Sequence, residues 1–535
     1  MTQHDDAQEQ EPGCPLLDLL PPELLEALAG LLPLTDRLAW RRCSRPLRDA
    51  FDATGTEMTL GAEVGSDALL GLVRRMPRLA SLEVAEWWRG VDWHAVLSDW
   101  PGGGLHTLRV GELDRLFRGA LWACTPPEML RAVGEACGAA LRRLEVYGAD
   151  SRRIEDFSGL APCTALTRLV LGSSLVRTVD ALASCATLQH VDLRGSYALE
   201  DVGGLASSAA ALAHLDVSGC LALEDLALLT ACKALRHLNI QTTQTSHLSQ
   251  VAACTALEHL NFRSTAVSDV APLAGLTALR HLCMGRSRVS DVAPLTALTA
   301  LTHLAIGSTA LVDLSPLTAL AALQHLGIDS SPLATGFGVV AACTELRVLS
   351  VEYCDSLPDL GFVAALTALA ELTDLCFGLC ANVVDLAVMA AFTALRRLRL
   401  ELTGVTCIRA LAACTALQLL DLGHTRVSCI AALASCTALE SLNIHGTSVF
   451  CIAALAPCAA LETLHIGETG VSCLGVLASC PRLRYLGVGG PGGPDLAQLD
   501  ACTALEKLTL LGPRLAADVA RFKAHHDGCV VHLIE

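Results

Sequence analysis

The chain has 535 residues, 52% of them apolar but only 4% aromatic, and it carries a net charge of −17. That acidic balance argues against a protein that binds nucleic acid or an anionic membrane without regard to sequence. A membrane span is also excluded, because His, Arg, Asp or Thr interrupts every apolar run.

Residues 1–13, MTQHDDAQEQEPG, are polar and acidic and have neither a basic n-region nor an apolar h-region. They read as a disordered leader rather than a secretory signal, and the compartment expected is the cytoplasm, with the nucleus open. A helical module follows over residues 14–53. Pro21-Pro22-Glu23 opens a helix in which Leu24, Leu25, Leu28, Leu31 and Leu32 fall near helical spacing, and Pro33 ends it. Thr35 or Asp36 is placed to cap a second helix through Leu38, Trp40 and Cys43, and Ser44 to cap a third with Pro46 in its first turn. Helices this short need something to dock on.

The module resembles an F-box in Leu20-Pro21-x-Glu23-Leu24-Leu25, in Leu32-Pro33, in Asp36-x-Leu38, and in Arg42-Cys43-Ser44-Arg45 running into Leu47. Leu47 stands where that family usually carries Trp. The resemblance implies docking on a Skp-type adaptor and, through it, on a cullin-based ubiquitin ligase. Leu20, Pro21, Glu23, Leu24, Leu28, Leu32, Leu38 and Leu47 would make that contact. The alternative is a plain helical cap on the array that follows.

Residues 54–140 carry an irregular form of a repeat: Leu79-x-x-Leu82-x-Val84, then Leu105-x-x-Leu108-x-Val110, with a helix over MLRAVGEACGAAL. Trp87, Trp88, Trp93, Trp100 and Trp122 cluster here, as a partner hot spot or as packing between module and array. From residue 141 to 512 the repeat is regular. Leu257–Leu323 writes one 22-residue sentence three times, in the frame L-x-x-L-x-Φ-x-x-[ST]-x-Φ-x-[DC]-Φ-x-x-L, where Φ is aliphatic, Phe or Met. A fixed period of this size means a solenoid, since one unit cannot bury its apolar side without neighbours.

The frame resembles leucine-rich repeats, closest to the 22-residue type of internalins. The fold class expected is an α/β solenoid, a leucine-rich-repeat horseshoe or arc with a parallel concave β-sheet, preceded by the three-helix F-box-like module. Roughly nineteen rungs at about 4.8 Å would span on the order of 90 Å. Strand period two sends the fourth and sixth residues of each coil inward and the third, fifth and seventh outward. Thr265, Thr309, Thr425, Thr447 and Thr469, with Ser287 and Cys220, stand where the family often has Asn. The far side, as in D-V-A-P-L, has Pro and too few residues for more than a short 3₁₀ turn. Two places disturb the rhythm, Gly336-Phe337-Gly338 and the long step from Leu346 to Leu372. Residues 513–535 read as a cap of one polar helix, a turn at Asp527-Gly528 and a last strand.

Cysteines fall in two columns. One is Cys163, Cys185, Cys232, Cys254, Cys343, Cys414, Cys436, Cys458, Cys480 and Cys502; the other is Cys407, Cys429, Cys451 and Cys473. Both are expected as reduced thiols in the core. Outward positions form further columns. The third residue is His190, His214, His237, His259, His281, His303 and His325 in turn; Asp192, Asp216, Asn239 and Asn261 hold the fifth, Arg194 and Arg263 the seventh. Stacked imidazoles repel when charged, so their pKa values should fall below about 6.5. No row of carboxylates accompanies the histidines, which argues against a metal strip. No nucleophile elbow, P-loop or dinucleotide fingerprint occurs, so catalytic residues, cofactor and metal are all expected to be none. The expectation is a non-enzymatic receptor that binds a target protein on the outward columns and reaches a ubiquitin ligase through its F-box-like helices. The rival is a leucine-rich-repeat scaffold without ligase function.

Overall fold

The computed structural model describes residues 57–60, 78–84, 105–110, 127–146, 154–311, 313–330, 337–354, 371–489, 495–511, 516–526 and 528–534, with residues 74, 76, 96, 97, 366, 367 and 369 besides. The F-box-like helices and the tryptophan cluster lie outside the described residues. The chain divides into two compact units, Met1–Thr245 and Ser246–Glu535.

Among the described residues of the first unit, eight short strands lie parallel in chain order: β1 (Glu57–Leu60), β2 (Ser81–Val84), β3 (Thr107–Val110), β4 (Arg143–Val146), β5 (Arg168–Leu171), β6 (His190–Asp192), β7 (His214–Asp216) and β8 (His237–Asn239). The fourth frame position stays in register throughout: Leu82, Leu108, Leu144, Leu169, Val191, Leu215 and Leu238 face one another in turn. Helix α1 (Pro127–Cys137) precedes β4, as the MLRAVGEAC stretch predicts. It packs backbone against backbone on the 3₁₀ turn Ser158–Leu160, because a side chain at Gly134 or Gly159 would strike the other segment.

The second unit continues the pattern in β9 (His259–Asn261), β10 (His281–Cys283), β11 (His303–Ala305), β12 (His325–Gly327), β13 (Val348–Ser350), β14 (Asp374–Cys376), β15 (Arg397–Arg399) and β16 (Leu419–Asp421). It ends in β17 (Ser441–Asn443), β18 (Thr463–Gly467), β19 (Tyr485–Gly489), β20 (Lys507–Leu511), helix α2 (Ala516–His525) and β21 (Val530–Ile534). Strands β12, β13 and β14 pair in register, so neither rhythm break divides the sheet. Strand β21 adds to β20 but leaves Val530, Leu533 and Ile534 exposed, so the polar terminal cap turns apolar at its last strand.

Each coil is held by the same few devices. Fourth and sixth positions are buried, as in Leu260 and Phe262, Leu282 and Met284, Leu304 and Ile306. Burying one such side chain contributes roughly 1.5–3 kcal/mol. On the opposite side run 3₁₀ turns such as Ala271–Leu273, Ala293–Ala297 and Ser315–Ala319, each with Pro in its first turn. Asp269, Asp291 and Asp313 cap these turns by accepting, at 2.8 Å, the backbone N–H two residues on. The Thr column serves its own coil: Thr265, Thr309, Thr425 and Thr447 donate to the carbonyl three residues back at 2.7–2.8 Å. Ser287 Oγ, buried in the same column, has no hydrogen-bond partner among the described residues.

One device was not foreseen. After each strand from β5 to β18 a residue takes left-handed φ, as at Ser264 (57°), Arg286 (56°), Leu402 (57°), His424 (55°) and Glu468 (54°). The kink aims that residue's N–H at the next coil: Ser264 donates to Gly285 O at 2.9 Å, Leu402 to Gly423 O at 2.8 Å and Glu468 to Gly489 O at 2.8 Å. An L-residue in this conformation costs roughly 1–2 kcal/mol, offset by a bond that ties two coils.

The cysteines need a correction. The long column is buried throughout, but Cys407, Cys429, Cys451 and Cys473 are exposed rather than in the core. They occupy the position that Asp269, Asp291 and Asp313 fill elsewhere, at the mouth of the 3₁₀ turn.

Candidate recognition surface

The outward sheet face is where the columns converge. In the first unit the His190 and His214 rings stack with centroids 3.9 Å apart and planes at 11°, and His214 and His237 at 4.2 Å and 12°. In the second unit His259–His281, His281–His303 and His303–His325 stack at 4.1, 4.0 and 3.9 Å. The sheet itself sets this spacing, since strands in register bring equivalent side chains close to face-to-face contact.

Every ring of the column is half-buried. Burial, then the Arg168 guanidinium, pulls His190 down to about 4. Burial, then the imidazoles of His190 and His237, takes His214 to about 3. His303 falls to about 4 through burial and its neighbours His325, His281 and His259, and burial also lowers His325. His190, His214, His303 and His325 are therefore neutral at pH 7. They offer planar edges with one donor and one acceptor each.

Charged groups lie beside them in the first unit. Glu145 on β4, fully buried, accepts from Arg109 Nε of β3 at 2.7 Å, Arg168 Nε of β5 at 2.5 Å and Arg143 Nη2 at 3.3 Å. Sequence reasoning missed this cluster, although the alternation of Arg and Glu at third and fifth positions of consecutive strands could have shown it. Asp192 and Asp216 are only 3% and 5% exposed. Arg194 Nε donates to both Asp192 carboxylate oxygens at 3.0 and 2.9 Å, and Asn239 Nδ2 to Asp216 at 3.1 Å. The fifth-position side chains also close their own turns, accepting the N–H two residues on at Arg194, Ser218, Gln241 and Arg263. Of the residues singled out in the sequence, the structure thus brings His190, His214, His237, Asp192, Asp216, Asn239 and Arg194 onto one face of the first unit. It brings His259, His281, His303, His325, Asn261 and Arg263 onto one face of the second.

Where a thiol does meet a carboxylate, Cys376 Sγ donates to Glu352 Oε1 at 2.7 Å, and burial together with that bond pushes the thiol up, away from a reactive thiolate. Among the described residues no helix is long and apolar enough to cross a membrane.

No protein-family model and no curated protein matches the chain. Solved structures do. An internalin from Listeria monocytogenes aligns over 57% of this chain and 88% of its own, at 22% identity and TM-score 0.50. A leucine-rich-repeat protein of Leptospira interrogans aligns over 66% and 93%, at 15% identity and TM-score 0.55. The fold is a leucine-rich-repeat solenoid. A plant peptide hormone receptor, RGFR1, solved in complex with RGF2, shares this leucine-rich-repeat architecture over 90% of the chain and 80% of its own, at 14% identity and TM-score 0.50.

Proposed function

We propose that the chain is a non-enzymatic recognition protein whose outward sheet face binds a partner protein. The observation that carries this reading is the pair of stacked imidazole runs. Rings already ordered by their neighbours lose little entropy on binding, and the neutral edges of His190, His214, His303 and His325 can donate or accept without a charge to desolvate. The narrower reading is a substrate receptor, joined through a Skp-type adaptor to a cullin-based ubiquitin ligase. What supports it is the F-box resemblance of Leu20 to Leu47 and nothing on the sheet face. The broader reading survives without it, as a leucine-rich-repeat scaffold whose N-terminal helices act as a cap.

Affinity capture with two variants separates these. Leu24→Ala with Leu28→Ala should abolish co-purification of the adaptor while leaving other captured proteins in place. His281→Ala with His303→Ala should do the reverse. Adaptor binding that ignores the first variant, or is missing from the wild type, removes the ligase reading. A captured set unchanged by the second removes the recognition face.

A further inference from the structure

Three consecutive coils of the second unit place two histidines and a glutamate together at the turns that follow β16, β17 and β18. We propose that His424, His445 and Glu468 bind a divalent transition-metal ion of the zinc, cobalt or nickel class.

The backbone brings them together. His424 and Glu468 occupy the left-handed turn position of their coils, at φ 55° and 54°, and Gly446 holds that position on the coil between, at φ 66°. His445 sits one residue before Gly446. One donor atom from each of the three side chains lies within 4.8 Å of the others, with His445 Nε2 and Glu468 Oε2 3.8 Å apart. The two imidazoles meet edge to face, at 84° with centroids 4.9 Å apart. This distinguishes them from the outward column, whose parallel rings set their nitrogens side by side. Crossed rings allow nitrogens to converge on one point.

Two glycines keep the space open. A Cβ at residue 467 would stand 2.7 Å from His445 Nδ1, and one at residue 446 would run into His424 Nδ1. The imidazoles therefore lie over bare backbone, and Nε2 of His445 turns towards Glu468. Asn443 steadies the turn from below: its Oδ1 accepts the His445 N–H at 3.0 Å while its Nδ2 donates to Asp421 at 2.9 Å. His424 and Glu468 are exposed, so an ion reaches the site directly.

Two imidazoles and one carboxylate suit ions of intermediate softness, and three protein donors leave at least one coordination position open. Metal–donor distances of about 2.0–2.2 Å bring ligands to within about 3.5 Å of each other, so the site must contract by roughly 1 Å on binding. Rotation of the exposed Glu468 side chain supplies that movement. The parallel rings of the outward histidine column do not converge in this way and take no part.

Cobalt(II) chloride titrated into the reduced full-length protein is the direct test, because its spectrum reports the ligands. The expected result is uptake of one ion without the intense near-ultraviolet band of a cobalt–thiolate bond, and a raised melting temperature. His424→Ala, His445→Ala and Glu468→Gln should each abolish this uptake, while Asn443→Ala weakens it by about tenfold to a hundredfold. Cys429→Ser with Cys451→Ser should leave it unchanged. Absence of uptake at millimolar cobalt, uptake that persists in the His424→Ala, His445→Ala double variant, or a thiolate band lost with the cysteines would each overturn the site. All substituted side chains are exposed or half-buried, and unchanged circular dichroism would confirm that the variants fold.

Discussion

Two columns of cysteines run through the same coils at the same 22-residue interval, and they meet opposite environments. Cys414, Cys436, Cys458, Cys480 and Cys502 are almost fully buried; Cys436 Sγ donates weakly to Leu411 O at 3.5 Å and Cys414 O at 3.6 Å. Burial pushes Cys414, Cys436 and Cys480 up to about 11. Cys407, Cys429, Cys451 and Cys473 are exposed on the same coils. A repeat period states which residues share an environment, but it is silent on which environment they share. The residues that replace each column elsewhere are the guide. Leu276, Leu298 and Leu320 hold the first position on other coils, and Asp269, Asp291 and Asp313 hold the second.

The strongest way to break this comparison is to put a charge at each position. Cys436→Asp buries an unpaired carboxylate and should lower the urea midpoint by the equivalent of about 3 kcal/mol or more, with loss of cooperativity along the array. Cys429→Asp installs the residue that caps the neighbouring turns and should change stability by no more than about 0.5 kcal/mol, or raise it slightly. Equal effects from the two would show that the columns do not differ as described. A milder probe is alkylation of the native protein near pH 8, followed by peptide mapping. Cys407, Cys429, Cys451 and Cys473 should react at least about a hundredfold faster than Cys436, whose raised pKa alone keeps nearly all of it protonated. Labelling of Cys436 at the rate of Cys429 would count against it.

The histidines extend the contrast to a titratable group. His190, His214 and His303 have folded-state values of about 4, 3 and 4, against about 6.5 when unfolded. The unfolded chain therefore binds more protons between these limits. Stability is full above pH 6.5 and drains away as pH falls towards 4. Acid unfolding followed between pH 7 and 5, above the range of ordinary carboxylates, should show this slope, and His214→Gln should make it shallower by about a third. A flat wild-type profile in that window would remove the desolvated column.

The solenoid was legible because every coil repeats the same apolar positions, and the 3₁₀ turn because Pro272, Pro294 and Pro316 leave room for nothing longer. Strand β1 was less so, since EMTL lacks the leucine frame. The left-handed turn was hidden by its occupants: Arg286, Tyr353, Leu402 and Glu468 are not residues whose presence announces positive φ. Glu145 stands 36 residues from Arg109 and 23 from Arg168, and only the register of β3, β4 and β5 joins them. The pair of His424 and His445 escaped for a related reason. His445 lies one place out of the column that holds His424 and Glu468, so reading columns one at a time separates them.

The long buried column also bears on how this molecule would withstand heat. In the folded chain its thiols are shut away from oxidants, and each coil of the second unit from Cys414 to Cys502 holds one of them. Melting a few neighbouring coils would release several at once, close together along the chain and newly able to ionise. In air, coils held open for minutes to hours would cross-link, so prolonged heating would leave a permanent record unless a reductant was present.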